Sequence, residues 1–99
     1  VAVFRWAEGT AAADVEAFAA GLAALPALIP QIRVFRFGPD AGLGMSANAD
    51  FAVVADFDDA DGYAVYAAHP AHQEVIVRLL RPILADRLSV QFTFASDSA

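Results

Sequence analysis

Cysteine is absent from the 99-residue sequence, which removes disulfides, thiolate nucleophiles and Cys-based zinc sites together. Lysine is absent as well. The six basic residues are all arginine, against twelve acids, for a formal net charge of −6. A phosphate backbone would meet a surface of its own sign, so no nucleic-acid partner is expected. Histidine and tyrosine are scarce, two of each, and all four lie in "YAVYAAHPAHQ" as Tyr63, Tyr66, His69 and His72. Two imidazoles and scattered carboxylates make no convergent ligand set, so no metal is expected. "GPDAGLG" lacks the lysine and the strand-to-helix setting of a phosphate loop. The longest uncharged stretch, Ala17 to Ile32, is interrupted by Pro26 and Pro30 and is shorter than the roughly 20 apolar residues a spanning helix needs. No membrane partner is therefore expected. "VAVFRWAEGT" turns polar at Arg5, unlike an export signal, and a cytoplasmic location is the expectation.

What is present is a core. Hydrophobic residues make up 59% of the chain and charged residues 18%, a balance that suits one folded domain over residues 1–99. "VAVFRW" sets Val1, Val3 and Arg5 against Ala2, Phe4 and Trp6, a strand apolar on both sides. Thr10 stands where an N-cap would precede "AAADVEAFAAGLAAL", in which Val15, Phe18, Leu22 and Leu25 recur at helical spacing up to Pro26. "QIRVFRF" is β-branched and aromatic, and glycines and a proline mark the loop after it. "ADFAVVADF" places Phe51, Val53, Ala55 and Phe57 on one face, and "DDAD" offers N-cap carboxylates for a second helix. That helix must break at His69-Pro70, where the residue before proline leaves the helical region, and restart as "PAHQEVIVRLLRPILAD". "RLSVQFTF" then alternates Leu88, Val90, Phe92 and Phe94 against polar residues, as a last strand. Asp-rich "DFDDAD" and the terminal "DSA" read as solvated segments.

The order is βαββαβ, the ferredoxin-like α+β plait, with a four-stranded antiparallel sheet carrying its helices on one face. Whichever way strands one to three are turned, Phe4 or Val3, Val34 or Phe35, and Val54 or Val53 meet the face without helices. A second copy's sheet is the natural cover, so a C2 homodimer is expected.

With "LPALIPQI", "DFAVVADFDD", "YAAHPAHQ" and "LRPILADRLSVQF", nearly the whole chain resembles the stress-responsive α/β barrel (Dabb) family. The resemblance implies two sheets facing one another as a dimeric α/β barrel, without cofactor. Many bacterial members have no established activity. Plant members include a heat-stable stress protein and olivetolic acid cyclase, a cofactor-free polyketide cyclase, which implies aldol-type ring closure on a poly-β-keto thioester. On that pattern the tyrosine falls on Tyr66 and the catalytic histidine on His72. Of two further imidazoles of the cyclase pocket, one falls on Phe51 and the other would precede Val1.

Helical spacing puts His72 on one face with Ile76, Leu79 or Leu80, and Ile83, which aims the ring inward. A neutral, partly buried His72 suits a proton acceptor. It equally suits a ring that hydrogen-bonds a buried backbone group, while His69 and Pro70 fix the junction. Tyr66 carries the same two readings, and Phe18, Leu22, Phe51 and Val53 are expected to line the same interior as ligand-contacting or core residues. Arg78, Arg81 and Arg87 are expected at the surface as partners of Glu74 and Asp86. Three functions stand at this point: binding of a small apolar or aromatic molecule, cyclase-like chemistry through the His/Tyr pair, and action through assembly alone.

Overall fold

The computed structural model describes residues 1–44 and 46–95; the terminal "DSA" lies outside the described residues. Strand β1 (Ala2–Trp6) leads through a turn at Gly9 to helix α1 (Ala12–Ala23), a short α2 (Leu25–Leu28), β2 (Val34–Pro39) and β3 (Phe51–Asp56). Helices α3 (Ala60–Ala68) and α4 (Pro70–Val75) follow, then a π-helical turn (Ile76–Leu80), a 3-10 turn (Arg81–Ile83) and β4 (Leu84–Ser89). The sheet order is β2-β3-β1-β4, with each neighbouring pair antiparallel. This is the expected ferredoxin-like plait.

Two starts and stops differ from expectation, each for a local reason. Thr10 does not cap α1. Its hydroxyl donates to the Ala7 carbonyl at 2.6 Å, and the N-cap position is Ala11, without a side-chain bond. The final helix is shorter and β4 begins earlier than "RLSVQFTF" suggested. Pro82 has no N–H for the carbonyl four residues back and its ring crowds that carbonyl. The last turns therefore widen and then tighten: Arg81 N–H bonds Ile76 O, and Leu84 N–H bonds Arg81 O. Leu84 then turns extended, carrying "LAD" into the strand. At the other end the β4 ladder uses its last partner at Val1, whose nitrogen and oxygen each bond Val90 at 2.9 Å. Residues 91–95 continue without strand pairing.

Parity then sorts the side chains. Phe4 and Trp6 of β1, Phe51 and Val53 of β3, and Phe35 and Phe37 of β2 face the helices, where Phe18 of α1 meets Phe4, Trp6 and Phe51 at ring separations of 5.5–5.8 Å. Phe37 stacks on Phe51 at 6.4 Å. Leu22, Leu25, Ile29, Val75, Leu80 and Ile83 close this core from the helical side. A fully buried Phe or Leu stabilises by about 1.5–3 kcal/mol relative to exposure, so the layer between sheet and helices holds the fold. Gly21 lets α1 approach it closely, since a Cβ there would lie 2.6 Å from Leu79 Cδ1 and 3.4 Å from Val75 Cγ2.

The opposite face has no helices. Val54 and Leu88 are exposed there, and the same parity continues through Val90, Phe92 and Phe94, also exposed. β1 leaves β3 after Phe4↔Phe51, and Asp50 then ties the strands together. Its N–H donates to Phe4 O and its carboxylate accepts from Trp6 N, both at 2.8 Å.

Candidate functional site

The break between α3 and α4 explains why both histidines stand together. His69 is extended, with ψ 134°, so the helical ladder stops there and leaves an orphan donor and an orphan acceptor. The Ala71 N–H is taken by His69 Nδ1 at 3.1 Å. The Ala67 carbonyl accepts instead from His72 Nδ1 at 3.2 Å and from Gln73 Nε2 at 2.6 Å. Both imidazoles thus repair one chain break. His69 takes the structural role expected of it.

The repair fixes the chemistry of His72. A carbonyl only accepts, so Nδ1 must carry the proton, and in the neutral ring Nε2 keeps its lone pair. His72 is half-buried, and burial holds its pKa below the ordinary 6.5. The Ala67 bond opposes that shift, while the charges of Arg87 and His69 add to it.

Tyr66, on the last turn of α3, packs its ring 4.1 Å from the His72 ring at a tilt of 34°. Phe57 lies 5.1 Å away and Phe35 6.3 Å away. Burial, with a smaller contribution from Tyr63, pushes the Tyr66 hydroxyl up to about 12 against the pull of Arg87. It is a phenol, and so a donor, at any physiological pH. Among the described residues no buried side-chain oxygen or nitrogen lacks a partner, and the Tyr66 hydroxyl has no protein partner within bonding distance, so it reaches water. A neutral proton acceptor and a neutral donor stand side by side at the edge of an aromatic cluster.

The other expected lining residues do something different. Phe18, Leu22, Phe51 and Val53 are 1%, 4%, 3% and 6% exposed and pack against one another in the filled core. They form part of the core against which Tyr66 packs. Two hollows among the described residues also lie elsewhere. One, of about 440 Å³, runs over the helix-free face past Val3, Arg5, Ala52 and Leu88. The other, of about 280 Å³, lies beside Gln31, Arg33 and Asp58. No group of side chains suited to a metal ion is found among the described residues.

Of the expected arginine pairs, Arg78 reaches Glu74 at 3.4 Å. Arg87 does not pair through its side chain with Asp86, whose carboxylate accepts from the Arg87 backbone N–H at 2.9 Å. Gln73 was invisible as a site residue in the sequence. The signal for Gln73 was its place three residues after Pro70, within reach of the freed carbonyl.

The model of the stress responsive A/B barrel domain matches residues 1–94. The chain belongs to that family. Among solved structures it is similar to a dimeric ferredoxin-like protein of unknown function from Thermobifida fusca YX, at 43% identity and TM-score 0.85 over 94% of this chain and 86% of that one. A dimeric protein of unknown function and ferredoxin-like fold from Bacteroides fragilis is 25% identical, with TM-score 0.80 over 94% of this chain and 91% of the other. A hydroxynitrile lyase from Passiflora edulis shares the fold at 14% identity and TM-score 0.69, over 95% and 93% of the two chains. No curated protein matches the sequence. The Thermobifida and Bacteroides proteins are both described as dimeric, ferredoxin-like and of unknown function.

Proposed function

We propose that this Dabb protein is a homodimer that binds a small apolar or aromatic molecule against the Tyr66–His72 pair. The observation that carries the reading is the packed pair itself, with a lone pair at His72 Nε2 and a Tyr66 hydroxyl that has no protein partner among the described residues. A ligand carbonyl accepts from the hydroxyl while a ligand hydroxyl or acidic C–H faces Nε2. The same two atoms form an acid–base couple for enolisation: His72 Nε2 takes a proton from the carbon beside a carbonyl, and Tyr66 donates to the carbonyl oxygen. The dimer rests on the exposed Val54, Leu88, Val90, Phe92 and Phe94 on and beyond the helix-free face, and on the dimeric relatives. A cytoplasmic setting agrees with the absence, among the described residues, of any helix long and apolar enough to cross a membrane.

A second reading, action through assembly alone, is favoured by the filled core around Phe18, Leu22, Phe51 and Val53. Titration of the dimer with 4-phenylbutanamide, a neutral amide on an aromatic body, separates the two. Saturable shifts of the His72 ring resonances, weakened in Tyr66→Phe, are expected. Silence at His72 up to millimolar probe leaves assembly as the function. For the acid–base step, deuterium uptake at the α-carbon of a β-keto thioester should fall ~10²-fold or more in His72→Gln; equal uptake removes the catalytic role.

A further inference from the structure

The helix-free face is uneven, and one row of residues carries the unevenness. The strand registers set Gly38, Ala52, Val3 and Leu88 abreast, one from each strand in the order β2-β3-β1-β4. All four line the hollow of about 440 Å³ on that face. At the β2 end Gly38 leaves a floor without side chain. A Cβ built there would meet nothing within 4 Å, and its φ is not positive, so neither crowding within the protomer nor backbone conformation calls for glycine. Ala52 adds only a methyl group. At the β4 end Leu88 is 71% exposed, and Val90, bonded to Val1 in both directions, prolongs the apolar ridge at 56% exposure.

Resting on the homodimer proposed above, we propose that the two copies pack with their two-fold axis parallel to the strands, so that Leu88 of each enters the hollow over Gly38 of the other. Two identical sheets that face one another with aligned strands can be related by an axis across the strands or along them. An axis across the strands sets β4 on β4 and β2 on β2. Ridge then meets ridge, and the two glycine floors face one another over a void. An axis along the strands keeps each row at its own level and exchanges its ends. Leu88 then stands over Gly38 and Val3 over Ala52, large on small along the whole row, as close packing requires. The roughly 30° between packed sheets shifts this match by about one residue along the strands. A different protein would need only the ridge or only the floor; a second copy uses both at once.

The chain has no cysteine, so introduced thiols test the arrangement directly. Wild-type dimer is compared with Gly38→Cys, Leu88→Cys and the double variant, each treated with a short bis-maleimide and run on a denaturing gel. Within one copy the two positions lie three strand spacings apart, about 14 Å, and a link between them leaves a monomer band. A covalent dimer is expected from the double variant and from neither single one. A covalent dimer from Leu88→Cys or Gly38→Cys alone puts the axis across the strands and overturns the proposal. So does the absence of any covalent dimer from protein that sediments as a dimer. Bulk gives a second reading, since Gly38→Leu fills the hollow without touching its own protomer. It should weaken dimerisation about tenfold or more while the denaturation midpoint of the monomer holds, and adding Leu88→Ala should restore part of the loss. Unchanged dimerisation in Gly38→Leu overturns the docking of Leu88 and leaves the homodimer standing. If wild-type protein sediments as a monomer, the homodimer falls and this packing with it.

Discussion

The two faces of the sheet both carry large apolar side chains and stand in opposite condition. On the helical face every large side chain has found partners: Phe18 touches Phe4, Trp6 and Phe51 and is 1% exposed. On the bare face Leu88 is 71% exposed and Val54 38%. Composition differs between them in degree, since the aromatics of β1–β3 gather on the helical face while the bare face mixes Val3, Val54 and Leu88 with Arg5, Arg36, Asp56 and Asp86. What separates them is the layer of helices, which covers only one face. The covered face makes the fold and the bare face asks for a second molecule, so changes on the two should act on different equilibria.

The largest effect should come from the covered side. Phe18→Ala removes a ring shared by three aromatic neighbours and is expected to cost ~3–5 kcal/mol, read as a lowered denaturation midpoint; a loss below 1 kcal/mol would mean the core is looser than its burial implies. Next comes Val54→Asp on the bare side, which sets a carboxylate where a partner's sheet would lie. Wild-type protein should sediment near twice the 10.4 kDa chain mass. The variant should dissociate roughly 10²-fold more readily or worse, the scale of burying an unpaired charge. A stable wild-type monomer at micromolar concentration would undo the contrast between the faces.

The smallest effect concerns pH. Burial lowers the pKa of His72 in the folded chain, so between its unfolded and folded values the unfolded chain binds more protons. The stability contributed by neutral His72 is present above about pH 6.5 and is lost as pH falls through the lowered folded value. The stability difference between wild type and His72→Gln should narrow or reverse from pH 7 to pH 5. A difference that is flat across this interval would place His72 in open solvent.

Much of the fold was legible because period-2 and helical spacing are written in side-chain type, and "DDAD" did supply the cap: Asp59 accepts from Gly62 N at 2.8 Å. The ends were less so. Leu84 serves helix or strand equally well, and only the loss of the Pro82 donor decided where the strand begins. At the site, His72 and Tyr66 were legible as a pair through their common neighbourhood. Their contact was not, because residues six apart meet only when the chain turns at His69. Away from the site, the face on which Arg87 stands was hidden by parity. The apolar alternation from Leu88 to Phe94 looks inward on paper, yet the register with β1 turns Leu88 to the bare face and the charged residue toward the helices.

Pro70 gives the break at His69 a reach beyond helix geometry. By denying α3 its continuation, it keeps the Ala71 amide from bonding the Ala67 carbonyl, as an uninterrupted helix would require. That carbonyl is then left to dictate which nitrogen of His72 holds the hydrogen. A side chain with no acid, base or polar atom thereby acts as a remote determinant of protonation. Restoring a continuous helix across this junction would release the imidazole to either tautomer and scramble the polarity that the site offers, with every titratable residue still in place.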